Sequence, residues 1–345
     1  MQAAVSHVSP FSGAWYPDDP MELEGLLDRL FADSEVRTGR WLAPDPLAFV
    51  VPHAGLVYSG TVAAAAYRPL SAAQPRRVIL LGFAHRGSTP GAWIPEVEAI
   101  RTPLGAVDVD REAAGELIAS GAFGALPESG LCDHSVEIQL PLLQRACPGI
   151  PVVPVYICRL DAAVRDAAAR QLAALAGGGT VLLASSDFTH YGRAFAYQPF
   201  PADEWVADRL HDLDDTVIQA AGSLSPELFL AALRKTASTV CGVEPIALLL
   251  ATLKRLDGDD EIFQEVLDYQ TSGEITGEYQ HSVSYAALGY FPYHTFRLGP
   301  EDSAWLLAAA RDTLAHYLAT GQRKSIAPGR RTPALQRRAA AFVTL

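Results

Sequence analysis

Three apolar runs in this sequence end in the same way, with one or more small or turn-forming residues and then a histidine. Phe49-Val50-Val51-Pro52 leads to His53, Ile79-Leu80-Leu81-Gly82-Phe83-Ala84 to His85, and Leu182-Leu183-Ala184-Ser185-Ser186-Asp187-Phe188-Thr189 to His190. In an open α/β sheet, ligands bind in the crevice beyond the carboxyl ends of the strands, so three of the nine histidines are candidates for one shared site. Imidazole is the commonest transition-metal ligand, and two histidines with a third donor leave positions open for oxygen or substrate. Asp187, His190 or a thiol can be that third donor. Cys241 precedes an apolar helix whose first turn holds Glu244 and Pro245, and a helix N-terminus favours the thiolate that binds metal. Cys132, Cys147 and Cys158 read instead as small buried hydrophobes.

A further polar cluster, Asp133-His134-Ser135-Val136-Glu137, opens a helix. Its plain role is N-capping by Asp133 or Ser135. Its functional role would place His134 and Glu137 on one helical face beside the metal, supporting ligands or moving protons. Other chemistries lack their spacing. The glycines form no GxGxxG or phosphate loop, and without a Gly-x-Ser-x-Gly elbow Ser185 and Ser186 read as hydrogen-bonding loop residues.

Elements able to position these groups are visible around them. Strands are expected at 47–51, 78–81, 152–157, 181–184, 262–269 and 283–288, with helices at 20–31, 60–70, 111–119, 135–146, 162–175, 204–221, 226–235 and 244–256. Ser225-Pro226 starts a helix and Gly177-Gly178-Gly179 stops one. Residues 93–109 read as a strand, a Pro/Gly turn and a returning strand, so the sheet is expected to be mixed. The fold class is α/β, a mixed sheet covered by helices.

The 345 residues carry 49% hydrophobic and 19% charged side chains, which excludes disorder and fibrous repeats. A net charge of −12 argues against a nucleic-acid surface or a polybasic membrane patch. Neither a membrane-length apolar run nor a secretory leader is present, so a cytoplasmic protein with reduced thiols is expected. After Phe291-Pro292, residues 293–299 read as a linker and 301–318 as a new helix. The apolar stretch 339–345, where the chain stops, is expected to belong to an incomplete second domain.

Taken together, these motifs resemble the Memo family, also called AmmeMemoRadiSam system protein B. The resemblance runs over about residues 5–291. It is carried by Ser12-Gly13-Ala14-Trp15-Tyr16-Pro17, Val51-Pro52-His53-Ala54-Gly55, Tyr58-Ser59-Gly60, Arg101-Thr102-Pro103-Leu104, Asp133-His134-Ser135-Val136-Glu137, Ser186-Asp187-Phe188-Thr189-His190-Tyr191-Gly192, Cys241-Gly242 and Ser282-Val283-Ser284-Tyr285-Ala286. It implies the LigB-like fold of the class III extradiol dioxygenases, whose iron is held by two histidines and a glutamate. By this resemblance His53 and His85 match the histidines, and Cys241 replaces the carboxylate. Asp187 and His190 match the remaining site residues, His190 near the acid/base position. A soft thiolate in place of a carboxylate shifts the expected cofactor toward copper, iron in a different redox state, or zinc.

The resemblance also implies partners: a radical-SAM protein and an AMMECR-type protein in prokaryotes, and phosphotyrosine peptides for the animal members. The segment from Glu301 onward resembles the opening of an AMMECR domain, so the expected organisation is 1–292 as a metal-site domain, 293–299 as a linker and 300–345 as a truncated α+β segment. Two functions follow as expectations. One is a metal-dependent redox or dioxygenase-related protein of unknown substrate. The other is a non-catalytic module binding an anionic or phosphotyrosine-like peptide, or a partner protein, in the same pocket.

Overall fold

A computed structural model of the chain describes residues 6–39, 45–87, 89–127, 133–258, 261–324 and 335. The first third holds β1 (Ser6–Val8), α1 (Pro20–Thr38), β2 (Ala48–Val51), α2 (Leu56–Ala73), β3 (Arg77–Phe83), β4 (Ala92–Pro95), β5 (Ala99–Thr102), β6 (Gly105–Asp108) and α3 (Arg111–Ala119). Next come β7 (Gly124–Leu126), α4 (His134–Glu137), α5 (Gln139–Ala146), β8 (Val152–Ile157), α6 (Ala162–Leu175), β9 (Thr180–Ser185) and β10 (His190–Gly192). The last part contributes α7 (Val206–Gly222), α8 (Pro226–Thr236), α9 (Val243–Leu256), β11 (Ile262–Thr271), α10 (Ser272–Thr276), β12 (His281–Pro292) and α11 (Pro300–Thr320).

The main sheet runs β10-β12-β2-β9-β3-β8-β4-β7, with β11 pairing on β12. Its centre is parallel: β2 on β9, β9 on β3 and β3 on β8. β12 and β4 join antiparallel, so the sheet is mixed as expected. Every residue of β2, β8 and β9 is buried, which is why these strands read as unbroken apolar runs. Helices flank the sheet. α2 packs on β2, β11 and β12 and carries α1 and α5, while α9 packs on β3 and β9 and carries α6 and α8. The apolar core is continuous through these layers, from Leu23 and Leu27 of α1 to Leu249 and Leu253 of α9.

Several local expectations are corrected. The helix expected over 135–146 is two: Ile138 ends α4 and Gln139 begins α5, although the apolar spacing runs through the break. Residues 93–109 split between two sheets. β4 belongs to the main sheet, whereas β5 and β6 form the antiparallel hairpin, with Thr102 opposite Gly105, and pair with β1 in a separate three-stranded sheet. The expected linker is partly structured, since a short 3-10 turn at Tyr293–Phe296 tucks Phe296 against Phe263 and Phe291. α11 follows, with Asp302 its one buried residue among those described. The strand expected at 339–345 and Cys132 lie outside the described residues.

Four local devices shape the elements around the site. Ser225 caps α8 ahead of Pro226, and Gly177–Gly179 all take positive φ after α6, as their sequence implied. Gly242 lets the start of α9 approach β9 closely, because a Cβ there would lie 2.4 Å from Ser186 Cβ. Arg165 of α6 holds Glu244, in the first turn of α9, at 3.1 Å.

Candidate metal centre

β2, β9 and β3 are parallel neighbours, so their carboxyl ends lie on one edge and bring His53, Asp187 and His85 together there. His53 is buried, and its main-chain N–H donates to Asp187 Oδ1 at 2.7 Å. Its ring lies between two partners, with Nδ1 3.1 Å from Ser185 Oγ and Nε2 2.9 Å from Cys241 Sγ. Gln139 stands behind this ring: Nε2 donates to Ser185 Oγ at 2.9 Å and to the Pro52 carbonyl at 2.9 Å, while Oε1 accepts from Tyr67 at 2.8 Å. This chain fixes the ring and leaves Nε2 as the ligand atom.

His85 is held by Asp133. Its main-chain N–H donates to Oδ2 at 2.7 Å, and ring Nδ1 lies 3.1 Å from Oδ1. A carboxylate can only accept, so Nδ1 carries the proton and Nε2 is free to bind a cation. Asp133 also accepts from Ser135 N–H at 2.9 Å, the capping role read from the sequence. Burial pushes its carboxyl up, but hydrogen bonds and the neighbouring imidazoles outweigh that and hold it below the usual range.

The ring planes of His53 and His85 cross at 80° with centroids 5.2 Å apart. Two perpendicular rings of this kind can both direct a nitrogen at one ion about 2.0–2.1 Å away. His134 differs. Its ring stacks on His85 at 4.4 Å and 28°, and on the other side against Trp15 at 4.1 Å and 22°. Nitrogens of His53, His85 and His134 lie within 4.8 Å of one another, yet rings so nearly parallel cannot both hold an in-plane ion without turning. As it stands, His134 supports His85 by stacking.

A second group, His53, Asp187 and Cys241, also has its ligand atoms within 4.8 Å of one another, so His53 is common to both. These His, Asp and Cys clusters can coordinate a metal ion. The Cys241 sulfur accepts from Asp187 N–H at 3.2 Å. The sequence expectation of a helix-lowered thiol pKa is reversed here. Burial, with the Asp187 charge behind it, pushes the Cys241 thiol well up, outweighing hydrogen bonds that act the other way. A cation would therefore have to displace a proton to reach the sulfur. Burial also pushes Asp187 up to about 6, and drives His53 well below and His134 down to about 4. His53 and His134 are thus neutral, with lone pairs available, at pH 7.

His190 sits beside Asp187 with its Nδ1 3.0 Å from the Phe188 carbonyl and 3.1 Å from the Thr239 carbonyl. Two carbonyls can only accept, so Nδ1 bears the proton and Nε2 is the basic atom. Glu137 turns elsewhere: it is fully buried and Oε1 meets His7 Nε2 at 3.1 Å and Tyr156 at 3.4 Å. Cys147 and Cys158 are buried free thiols. Sequence reading missed Gln139, Ser185 as the His53 partner, and Asp133 as the His85 partner. A glutamine inside the apolar run Ile138–Leu143 was the one visible signal.

Comparison with known proteins matches this architecture. The Memo-like protein family model covers residues 9–289. A MEMO1 family protein of Methanosarcina barkeri is 34% identical over 283 residues, spanning 80% of this chain and 97% of that protein. A MEMO1 family protein of Methanopyrus kandleri is 30% identical over 297 residues (80% and 96%), and Protein MEMO1 of Xenopus laevis is 30% identical over 293 (82% and 97%). With the matched span reaching from just after β1 into β12 and enclosing every residue of both metal-capable clusters, the chain belongs to the Memo family.

Proposed function

We propose that this protein is a metal-dependent redox or oxygen-using protein in which His53, His85 and Cys241 hold iron or copper. The observation that carries this is the crossing of the His53 and His85 rings at 80°, with Cys241 Sγ 2.9 Å from His53 Nε2. Two imidazoles and a thiol suit copper, iron or zinc better than magnesium or calcium; His85 and Cys241 fall in separate groups that meet at His53, so His53 is the donor common to any such ion. When bound, such an ion supplies one-electron chemistry and polarises an oxygen-containing ligand.

The chain's own residues do the rest. Asp133 and Ser185 orient the two imidazoles, and the stack of His134 and Trp15 limits how far His85 can swing. His190 takes or returns a proton at Nε2, and Asp187, held near 6 by burial, shares the proton load while its carboxylate fixes the His53 main chain. No helix is long and apolar enough to cross a membrane among the described residues. Beyond the family-matched span, α11 exposes Leu307, Leu314 and Leu318, which supports reading it as the opening of a second, AMMECR-like unit. A radical-SAM protein and an AMMECR-type protein are the partners that the family membership favours.

The test is metal content and oxygen-dependent turnover of protein purified without added metal, beside His53→Ala and Cys241→Ser. Stoichiometric iron or copper in the wild type, lost in both variants, is expected. Cobalt(II) added to metal-stripped protein should show a thiolate charge-transfer band that Cys241→Ser abolishes. A wild type without transition metal above trace levels overturns the proposal and leaves the non-catalytic module for an anionic or phosphotyrosine-like peptide.

A further inference from the structure

Asp214 of α7 is completely buried, and no lysine or arginine pairs with it among the described residues. Each of its contacts is a donor. Oδ1 accepts from the Thr189 hydroxyl at 2.6 Å and from Thr189 N–H at 3.3 Å, and Oδ2 accepts from Tyr269 at 2.7 Å. A carboxylate is costly to bury, and one kept without a countercharge needs a reason.

The Thr189 N–H belongs to the same peptide unit as the Phe188 carbonyl. That carbonyl accepts the proton of His190 Nδ1 at 3.0 Å. A single peptide plane therefore connects Asp214 on one edge to His190 on the other. The second carbonyl on Nδ1, from Thr239, is tied to the same point. Because the Thr189 hydroxyl donates to Asp214, Ser238 Oγ donates to it at 2.8 Å, and Ser238 immediately precedes Thr239. Thr239 closes the arrangement, its hydroxyl accepting from His190 N–H at 2.8 Å and donating to the His190 carbonyl at 2.9 Å.

We infer that Asp214 is a positioning residue that holds His190 in its Nδ1–H tautomer, acting through the Phe188–Thr189 peptide and through Thr189 and Ser238. The inference rests on the proton-handling role proposed for His190. It gives that role a remote carboxylate, separated from the imidazole by one peptide unit. Donation of the peptide N–H to Asp214 polarises the Phe188 carbonyl, which strengthens its hold on the imidazole N–H and keeps Nε2 basic. The substrate proton is taken at Nε2; Asp214 touches neither substrate nor metal.

The experiment is long-range proton–nitrogen NMR of the full chain, metal-free and labelled in histidine, with His190→Gln assigning the resonances. The wild type should show His190 as one tautomer with the proton on Nδ1. Asp214→Asn should raise the Nε2–H population about tenfold, the response to losing ~1.4 kcal/mol of bias. A folded Asp214→Asn protein with the wild-type tautomer overturns the inference. If that variant does not fold, Asp214→Ser decides, since it removes the carboxylate that both the Thr189 N–H and the Thr189 hydroxyl reach; an unchanged tautomer there is equally fatal. Turnover unaffected by His190→Gln would instead remove the proton role while leaving the tether, which is read without turnover.

Discussion

Asp133→Asn separates the orientation of His85 from the fold that carries it. The wild-type carboxylate satisfies three donors: His85 N–H at 2.7 Å, His85 Nδ1 at 3.1 Å and Ser135 N–H at 2.9 Å. An amide has one accepting oxygen. With that oxygen toward Ser135, the NH2 group faces the His85 backbone N–H; reversed, it faces Ser135 N–H. Either way one donor loses its acceptor, the buried Ser135 N–H or the part-buried His85 N–H, costing up to about 1–3 kcal/mol of stability, least when it is His85 that water can reach. The reversed amide also faces His85 Nδ1 with a donor and drives the ring proton to Nε2, the atom a metal needs. Loss of such an orienting partner should weaken metal binding about 10–100-fold, or ~1.4–2.8 kcal/mol. Competition of the protein with a chromophoric chelator for zinc(II) measures the affinity, and urea unfolding of metal-free protein measures the stability. Asp161→Asn, which alters the cap of α6 away from the cluster, is the control and should leave affinity unchanged. Asp133→Asn binding zinc within about twofold of wild type would refute the idea that Asp133 sets the His85 tautomer.

His134 gives a pH prediction. Its folded value of about 4 lies below the ordinary 6.5, so the unfolded chain takes the proton first and stability falls as pH drops from 6.5 towards 4. The loss is about 3 kcal/mol, partly offset by Asp187, whose raised value makes the folded state bind its proton first in the same window. Metal-free His134→Gln should lose less stability than wild type between pH 7 and 4 in urea melts, and equal losses would remove this assignment. Gly242→Ala places a Cβ 2.4 Å from Ser186 Cβ and 2.7 Å from the Ser185 carbonyl, so it should cost about 1–3 kcal/mol and weaken the cobalt–thiolate band by displacing Cys241. Gln139→Leu leaves the Tyr67 hydroxyl only its 3.4 Å contact with the residue 139 carbonyl and loosens Ser185; a melting temperature and zinc affinity both equal to wild type would show that the chain behind His53 is idle.

The central strands were legible because burial on both faces leaves no reason for alternation, so 47–51, 152–157 and 181–184 announce themselves as apolar runs. Their histidines were legible for the same reason: a polar residue just past such a run has to sit at the sheet edge. What stayed hidden was anything set by contact between distant segments. His85 and Asp133 are 48 residues apart and Gln139 and Ser185 are 46 apart, and no period or spacing links them. The break at Ile138 was hidden because both short helices keep one apolar rhythm. Glu137 shares a helix with His134, yet its partner His7 comes from a strand in the other sheet.

Cys241 shows most clearly where local rules stop. Its place ahead of a helix argues for a thiolate, since the helix terminus is worth about 0.3–1 kcal/mol to a nearby negative charge at a solvated surface. Folding buries the sulfur beside Asp187, and desolvation acts on the same charge with a larger magnitude and the opposite sign. The metal-free site therefore rests as a thiol against a neutral imidazole, a pair that costs little to bury. Metal uptake at this site should then release a proton from Cys241 and tighten as pH rises. Chelator competition at pH 6, 7 and 8 should give a zinc affinity rising close to tenfold per pH unit in the wild type and markedly less in Cys241→Ser. Equal slopes in the two proteins would mean that the sulfur is not a ligand, and that His53 and His85 take their third donor from elsewhere.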